Sequence, residues 1–150
     1  MEILAALEQL GVIRALKVSF FAYPIVNALH IMSIGALFTS VFLMDFRLLG
    51  AFGSLPAEPF VRLLRRVALI AFLGAALTGL TMFAVRATDY ALMPVFLLKM
   101  ALIALAALNF VAFIRLARNG GTSTALRISV VLSLLLWTAV ILAGRFIGFL

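Results

Sequence analysis

Two ionisable side chains, His30 and Lys99, stand inside long apolar runs of the chain. Such a group costs about 2.5 to 3.5 kcal/mol at the centre of a membrane-spanning helix on insertion scales, so each calls for a reason. Tyr23, Asn27, His30 and Ser33 follow one another at steps of four, three and three, which places them on one stripe of a helix. That stripe should face protein rather than lipid. An imidazole there has three uses: a hydrogen bond to Asn27 or to a neighbouring helix, a ligand bond to haem iron or another metal, or proton handling. Lys99 shares a helical face with Ala106 and Asn109. Its ammonium can either snorkel to the interface or meet an anionic group. Asn109 reads as glue between helices. Asp45 and Arg47 close the first apolar run and mark a membrane boundary, with a local ion pair between them. Met32, Met44, Met82, Met93 and Met100 read first as packing residues.

Several chemistries have no support. The chain has no cysteine, which removes disulfides, thiolate metal sites, iron–sulfur clusters and covalent haem attachment. One histidine without cysteine cannot build the usual zinc site, and neither a Gly-x-Ser-x-Gly elbow nor a phosphate-binding glycine loop is present. Bis-histidine haem cannot form within one chain. It would take His30 from two subunits, His30 with a methionine such as Met82, or five-coordinate iron.

The elements that must position these residues follow from composition. Of the 150 residues, 67% are apolar and 11% charged, against about half and a quarter in a soluble domain. Four apolar segments reach the length of about 20 residues needed to cross the hydrocarbon layer. The expectation is an all-α membrane protein, a four-helix transmembrane bundle in a single domain over 1–150. Spans are expected at about 20–46, 67–85, 94–117 and 126–147, after a short N-terminal interfacial helix within 1–19. Pro24 fits a first helical turn or a kink, Gly50 a helix end, and Pro56 and Pro59 the start of the second long helix. Thr88 and Asp89 are cap candidates in a loop at 86–93, and Pro94 opens the third span. Asn119-Gly120-Gly121 stops that span, and Thr122-Ser123-Thr124 starts the next. In the second span Ala71, Ala75 and Gly79, with Gly74 and Thr78 beside them, form a face that lets another helix approach closely. Ser129, Ser133 and Trp137 make a similar stripe in the fourth. No internal repeat is evident, and the N-terminus lacks the basic start of a secretory signal.

The charge of +7 gathers at the ends of the apolar runs, as headgroup anchors do; a nucleic-acid partner is not expected. Arg47, Arg62, Arg65, Arg66, Arg115, Arg118 and Arg127 fall on one side of four spans, and Arg14, Lys17, Arg86 and Arg145 on the other. The positive-inside rule then places both termini outside the cytoplasm. Alternating span directions put His30, Met82, Lys99 and Arg145 in the same outer half of the bilayer.

The run Tyr23-Pro24-Ile25-Val26-Asn27-Ala28-Leu29-His30-Ile31, closing at Asp45-Phe46-Arg47-Leu48-Leu49-Gly50, resembles an uncharacterised family of bacterial four-span membrane proteins known only as a domain of unknown function. Phe96-Leu97-Leu98-Lys99-Met100 followed by Asn109 is similar to that family as well. The resemblance implies a multi-pass protein of the bacterial inner membrane in which His30 matters. More distantly, a span-borne histidine with a later lysine and asparagine is similar to copper-resistance and cytochrome b561-like membrane proteins, which use several histidines.

Three functions are consistent with these features. One is binding of b-type haem or a quinone for membrane electron transfer, with His30 as ligand or hydrogen-bond donor, Asn27, Tyr23 and Met82 beside it, and Lys99 and Arg145 near an anionic group. The second is a non-catalytic accessory or assembly subunit that binds another membrane protein or further copies of itself. The third is a small-solute or proton pathway lined by Tyr23, Asn27, His30 and Lys99.

Overall fold

The computed structural model describes residues 2–149, which form helices and connecting turns with no strand among the described residues. In chain order the helices are α1 (Glu2–Glu8), α2 (Gly11–Val18), α3 (Ala22–Leu48), α4 (Ala57–Val85), α5 (Ala87–Leu92), α6 (Pro94–Arg118) and α7 (Ser123–Phe146), followed by a 3-10 turn at Ile147–Phe149. The protein is all-α. Among the described residues four helical stretches are long and apolar enough to cross a bilayer, namely α3, α4, α6 and α7 with its terminal turn. At 1.5 Å per residue the shortest of them, the 25 residues of α6, reaches about 37 Å, which exceeds the hydrocarbon thickness. This is the architecture of a multi-pass membrane protein.

Local chemistry sets the helix ends. Ser19 Oγ accepts from the Ala22 N–H at 3.1 Å at the start of α3, and Pro24 sits in the first turn, where its missing donor costs nothing. Gly50 ends α3 with φ +108°, and the following Ala51 N–H returns to the Phe46 carbonyl at 3.0 Å. Gly120, at φ +70°, ends α6 in the same way, with the Gly121 N–H on the Leu116 carbonyl at 2.8 Å. Thr122 caps α7 by accepting from the Ala125 N–H at 3.2 Å.

Two segments differ from the expectation. The N-terminal stretch is divided into α1 and α2, because Gln9 and Leu10 close α1 onto the carbonyls of Ala5, Ala6 and Leu7 before Gly11 restarts the helix. The connection after α4 is not irregular; it folds as the short α5, whose Asp89 accepts from the Arg86 Nε at 2.8 Å.

The chain forms two compact units, Met1–Thr39 with Arg66–Met93, and Ser40–Arg65 with Pro94–Leu150. In the first, α1 packs on α5, and the upper part of α3 meets α4. In the second, α6 packs against α7. Along α3 one stripe is withdrawn from the surface. Tyr23, Asn27, His30 and Ser33 are half-buried, and Leu37, Ser40, Val41, Met44 and Asp45 are buried, while Ile25, Leu29, Ile31 and Met32 are exposed. The steps of three and four among the withdrawn residues are those of one helical face.

Candidate functional site

In the first unit the polar stripe of α3 meets the small-residue face of α4. His30 Nδ1 lies 2.9 Å from Thr78 Oγ1. The Thr78 hydroxyl has one proton, and it donates that proton to the Gly74 carbonyl at 2.6 Å, with the Ala75 carbonyl at 3.3 Å. Thr78 can then only accept from the imidazole, so Nδ1 carries the ring hydrogen and Nε2 is the basic nitrogen of neutral His30.

The glycines of α4 explain why the helices come this close. A Cβ at Gly79 would stand 3.0 Å from His30 Cε1, and one at Gly74 would stand 2.7 Å from Ser33 Oγ. The space a side chain would fill is already occupied by the α3 stripe. His30 opposite Thr78 and Gly79, and Ser33 opposite Gly74, make the two helices antiparallel here. Met82, one turn beyond Thr78, therefore falls at the level of Asn27; both are half-buried.

One turn beyond Asn27, the Tyr23 hydroxyl is close enough to Tyr90 of α5 to feel its charge, and Tyr90 stacks on Phe83 with centroids 6.4 Å apart. Glu8, at the end of α1, accepts from both the Thr88 N–H at 2.8 Å and the Thr88 hydroxyl at 2.7 Å. These two bonds, the side-chain one first, hold the Glu8 carboxyl below the ordinary carboxylate range. Sequence reading marked Thr88 as a cap candidate but gave no sign of its acceptor, which lies 80 residues earlier.

The second unit holds the remaining candidates. Asn109 of α6 and Ser129 of α7 bond reciprocally, Nδ2 donating to the Ser129 carbonyl and the Ser129 hydroxyl donating to Oδ1, both at 2.9 Å. Asp45 is buried, with the Ser133 hydroxyl of α7 as the polar group acting on it, and its Oδ2 has no hydrogen-bond partner. The expected ion pair between Asp45 and Arg47 is not among those of the described residues. Residues two apart on a helix point about 200° from one another, and Arg47 instead donates from Nη2 to the Leu55 carbonyl at 2.9 Å. Lys99 lays its side chain across Gly144 of α7, and the Arg145 guanidinium sits 4.7 Å over the Phe149 ring.

The four residues expected in one half of the bilayer are thus divided, His30 and Met82 in the first unit, Lys99 and Arg145 in the second. Among the described residues no group of three or more His, Cys, Asp or Glu is placed to hold a metal ion. Comparison with protein-family models, with curated proteins and with solved structures gives no match.

Proposed function

We propose that this chain is a non-catalytic subunit of the bacterial inner membrane that works by association, with another membrane protein or with further copies of itself, and that both of its termini lie on the periplasmic side. The observation that carries the reading is the use made of His30. Its Nδ1–H is bonded to Thr78 and its ring fills the space left by Gly79, so the imidazole joins α3 to α4. Asn109 joins α6 to α7 in the same manner. Polar groups bonded between helices in this way hold helix pairs in register in lipid, where no hydrophobic drive does so. Native mass spectrometry of the protein released from nanodiscs tests the proposal. A defined homo-oligomer, or a stoichiometric complex with one co-purified membrane protein, is the expected result; a uniform monomer with no partner overturns it.

A second reading is b-type haem or a quinone bound through His30. What favours it is the tautomer: a Nδ1–H anchored on Thr78 leaves the ring's lone pair on Nε2, the arrangement that orients metal-binding imidazoles. His30 would supply an imidazole nitrogen and Met82 a thioether, with Asn27 and Tyr23 at neighbouring levels; a haem there would bring one-electron chemistry to the membrane. A visible spectrum of the detergent-solubilised protein separates the readings. A Soret band that disappears in His30→Leu supports haem, and a Soret band unchanged in that variant rules out ligation by His30.

A further inference from the structure

We propose that Lys99 and Arg145 bind the phosphate of an anionic phospholipid headgroup where α6 begins and α7 ends. The argument starts from Gly144. A Cβ built there would stand 3.4 Å from Lys99 Nζ, 3.5 Å from Cε and 3.8 Å from Cδ. The lysine stem lies in a notch that exists because residue 144 has no side chain. Lys99 is the sixth residue of α6, about 7.5 Å below its first, whereas Gly144 is two residues from the end of α7. A stem directed along that notch carries the ammonium from a half-buried position toward the headgroup level.

Charge does the rest. Neither a hydrogen bond nor an ion pair joins Lys99 to any of the described residues. Arg145, next to Gly144, is exposed, with its guanidinium over the Phe149 ring. The Asp and Glu side chains of this unit lie elsewhere. Asp45 meets α7 at Ser133, eleven residues or about 16 Å of helix before Gly144, and Glu58 is paired with Arg62. The carbonyl end of α7 favours one nearby cation through its dipole, but it does not neutralise two. Two cations of different geometry, one a compact ammonium and the other a planar fork, suit the tetrahedral oxygens of a phosphate.

The test is lipid binding by the intact detergent-solubilised protein, read by native mass spectrometry and by thermal midpoint, with phosphatidylglycerol, phosphatidylcholine and inorganic phosphate as the probes. Phosphatidylglycerol is expected to bind about tenfold more tightly than phosphatidylcholine and to raise the midpoint. Lys99→Met and Arg145→Gln should each remove most of that preference, and Lys99→Arg should restore it. Lys99→Met takes a charge out of a span, so loss of insertion does not confuse the result. Gly144→Ala keeps both cations but narrows the notch, and it should weaken binding without changing the oligomeric state on which the association reading depends. A wild-type lipid preference in Lys99→Met overturns the site. So does stabilisation by millimolar inorganic phosphate equal to that by phosphatidylglycerol, because a water-borne anion would then be the ligand.

Discussion

A single hydroxyl sets the character of His30. Thr78 uses its proton on the Gly74 carbonyl and its lone pair on the imidazole, so the ring is oriented by a residue that sequence reading had placed only beside a small-residue face. Thr78→Val removes the acceptor and leaves an N–H unmet between helices, at a cost of about 1–2 kcal/mol. The thermal midpoint in detergent should fall, and it should fall less when Thr78→Val is made in a His30→Leu background. A coupling of about 0.6 to 1.7 kcal/mol between the two sites is expected from such a cycle, and strict additivity would show that the bond contributes nothing. Gly79→Leu is more severe. Even a Cβ would stand 3.0 Å from the imidazole, and the larger side chain must push α3 away, with loss of assembly and of thermal stability. A Gly79→Leu protein with wild-type stability would mean that the ring has room to move aside.

At the scale of the element, α1 is tied to α5 by one carboxylate and the two donors of Thr88. The bonds favour ionised Glu8, so its folded-state pKa lies below the ordinary value of 4.5. A depressed pKa contributes stability that is fully present above 4.5 and lost as pH falls through the folded value. Hydrogen exchange across residues 2–8 and 87–92 should therefore be slow at pH 7 relative to intrinsic rates and lose protection as pH falls through the lowered Glu8 value. In Glu8→Gln the same loss should occur at pH 7. Unchanged protection in that variant would show that α1 is held by apolar contacts alone. The α6–α7 pair depends on a different device. Asn109→Leu deletes both bonds to Ser129 and should lower the thermal midpoint, whereas Ser129→Ala deletes one and should cost roughly half as much.

For the whole molecule the testable quantity is orientation. Four spans put the α3–α4 and α6–α7 connections on one side, and that side holds Arg47, Arg62, Arg65, Arg66, Arg115, Arg118 and Arg127. Reporters fused to either terminus should be reachable from the periplasm, and reporters inserted in 51–56 or at Gly120 should be protected until the membrane is opened. Termini labelled on opposite sides would overturn the span count; termini labelled only from the cytoplasm would overturn the orientation.

The class of the protein needed nothing beyond the sequence. Apolar length is a local property, and so are the helix stops at Gly50 and Gly120, the start at Pro94 and the cap at Thr122, since each acts within a few residues of itself. The stripe of Tyr23, Asn27, His30 and Ser33 was legible for the same reason, because helical periodicity alone puts them on one face. Pairing between distant segments is where this legibility ends. Thr78 as the partner of His30, Glu8 as the acceptor for Thr88 and Gly144 as the seat of Lys99 depend on which helices pack and at what height. Asp45 and Arg47, two residues apart, looked like partners in the linear chain, yet helix geometry turns them away from each other. Periodicity says which way a side chain faces along its own helix; only the tertiary structure says what it meets, because lipid imposes no pairing and the contacts depend on how closely two backbones approach.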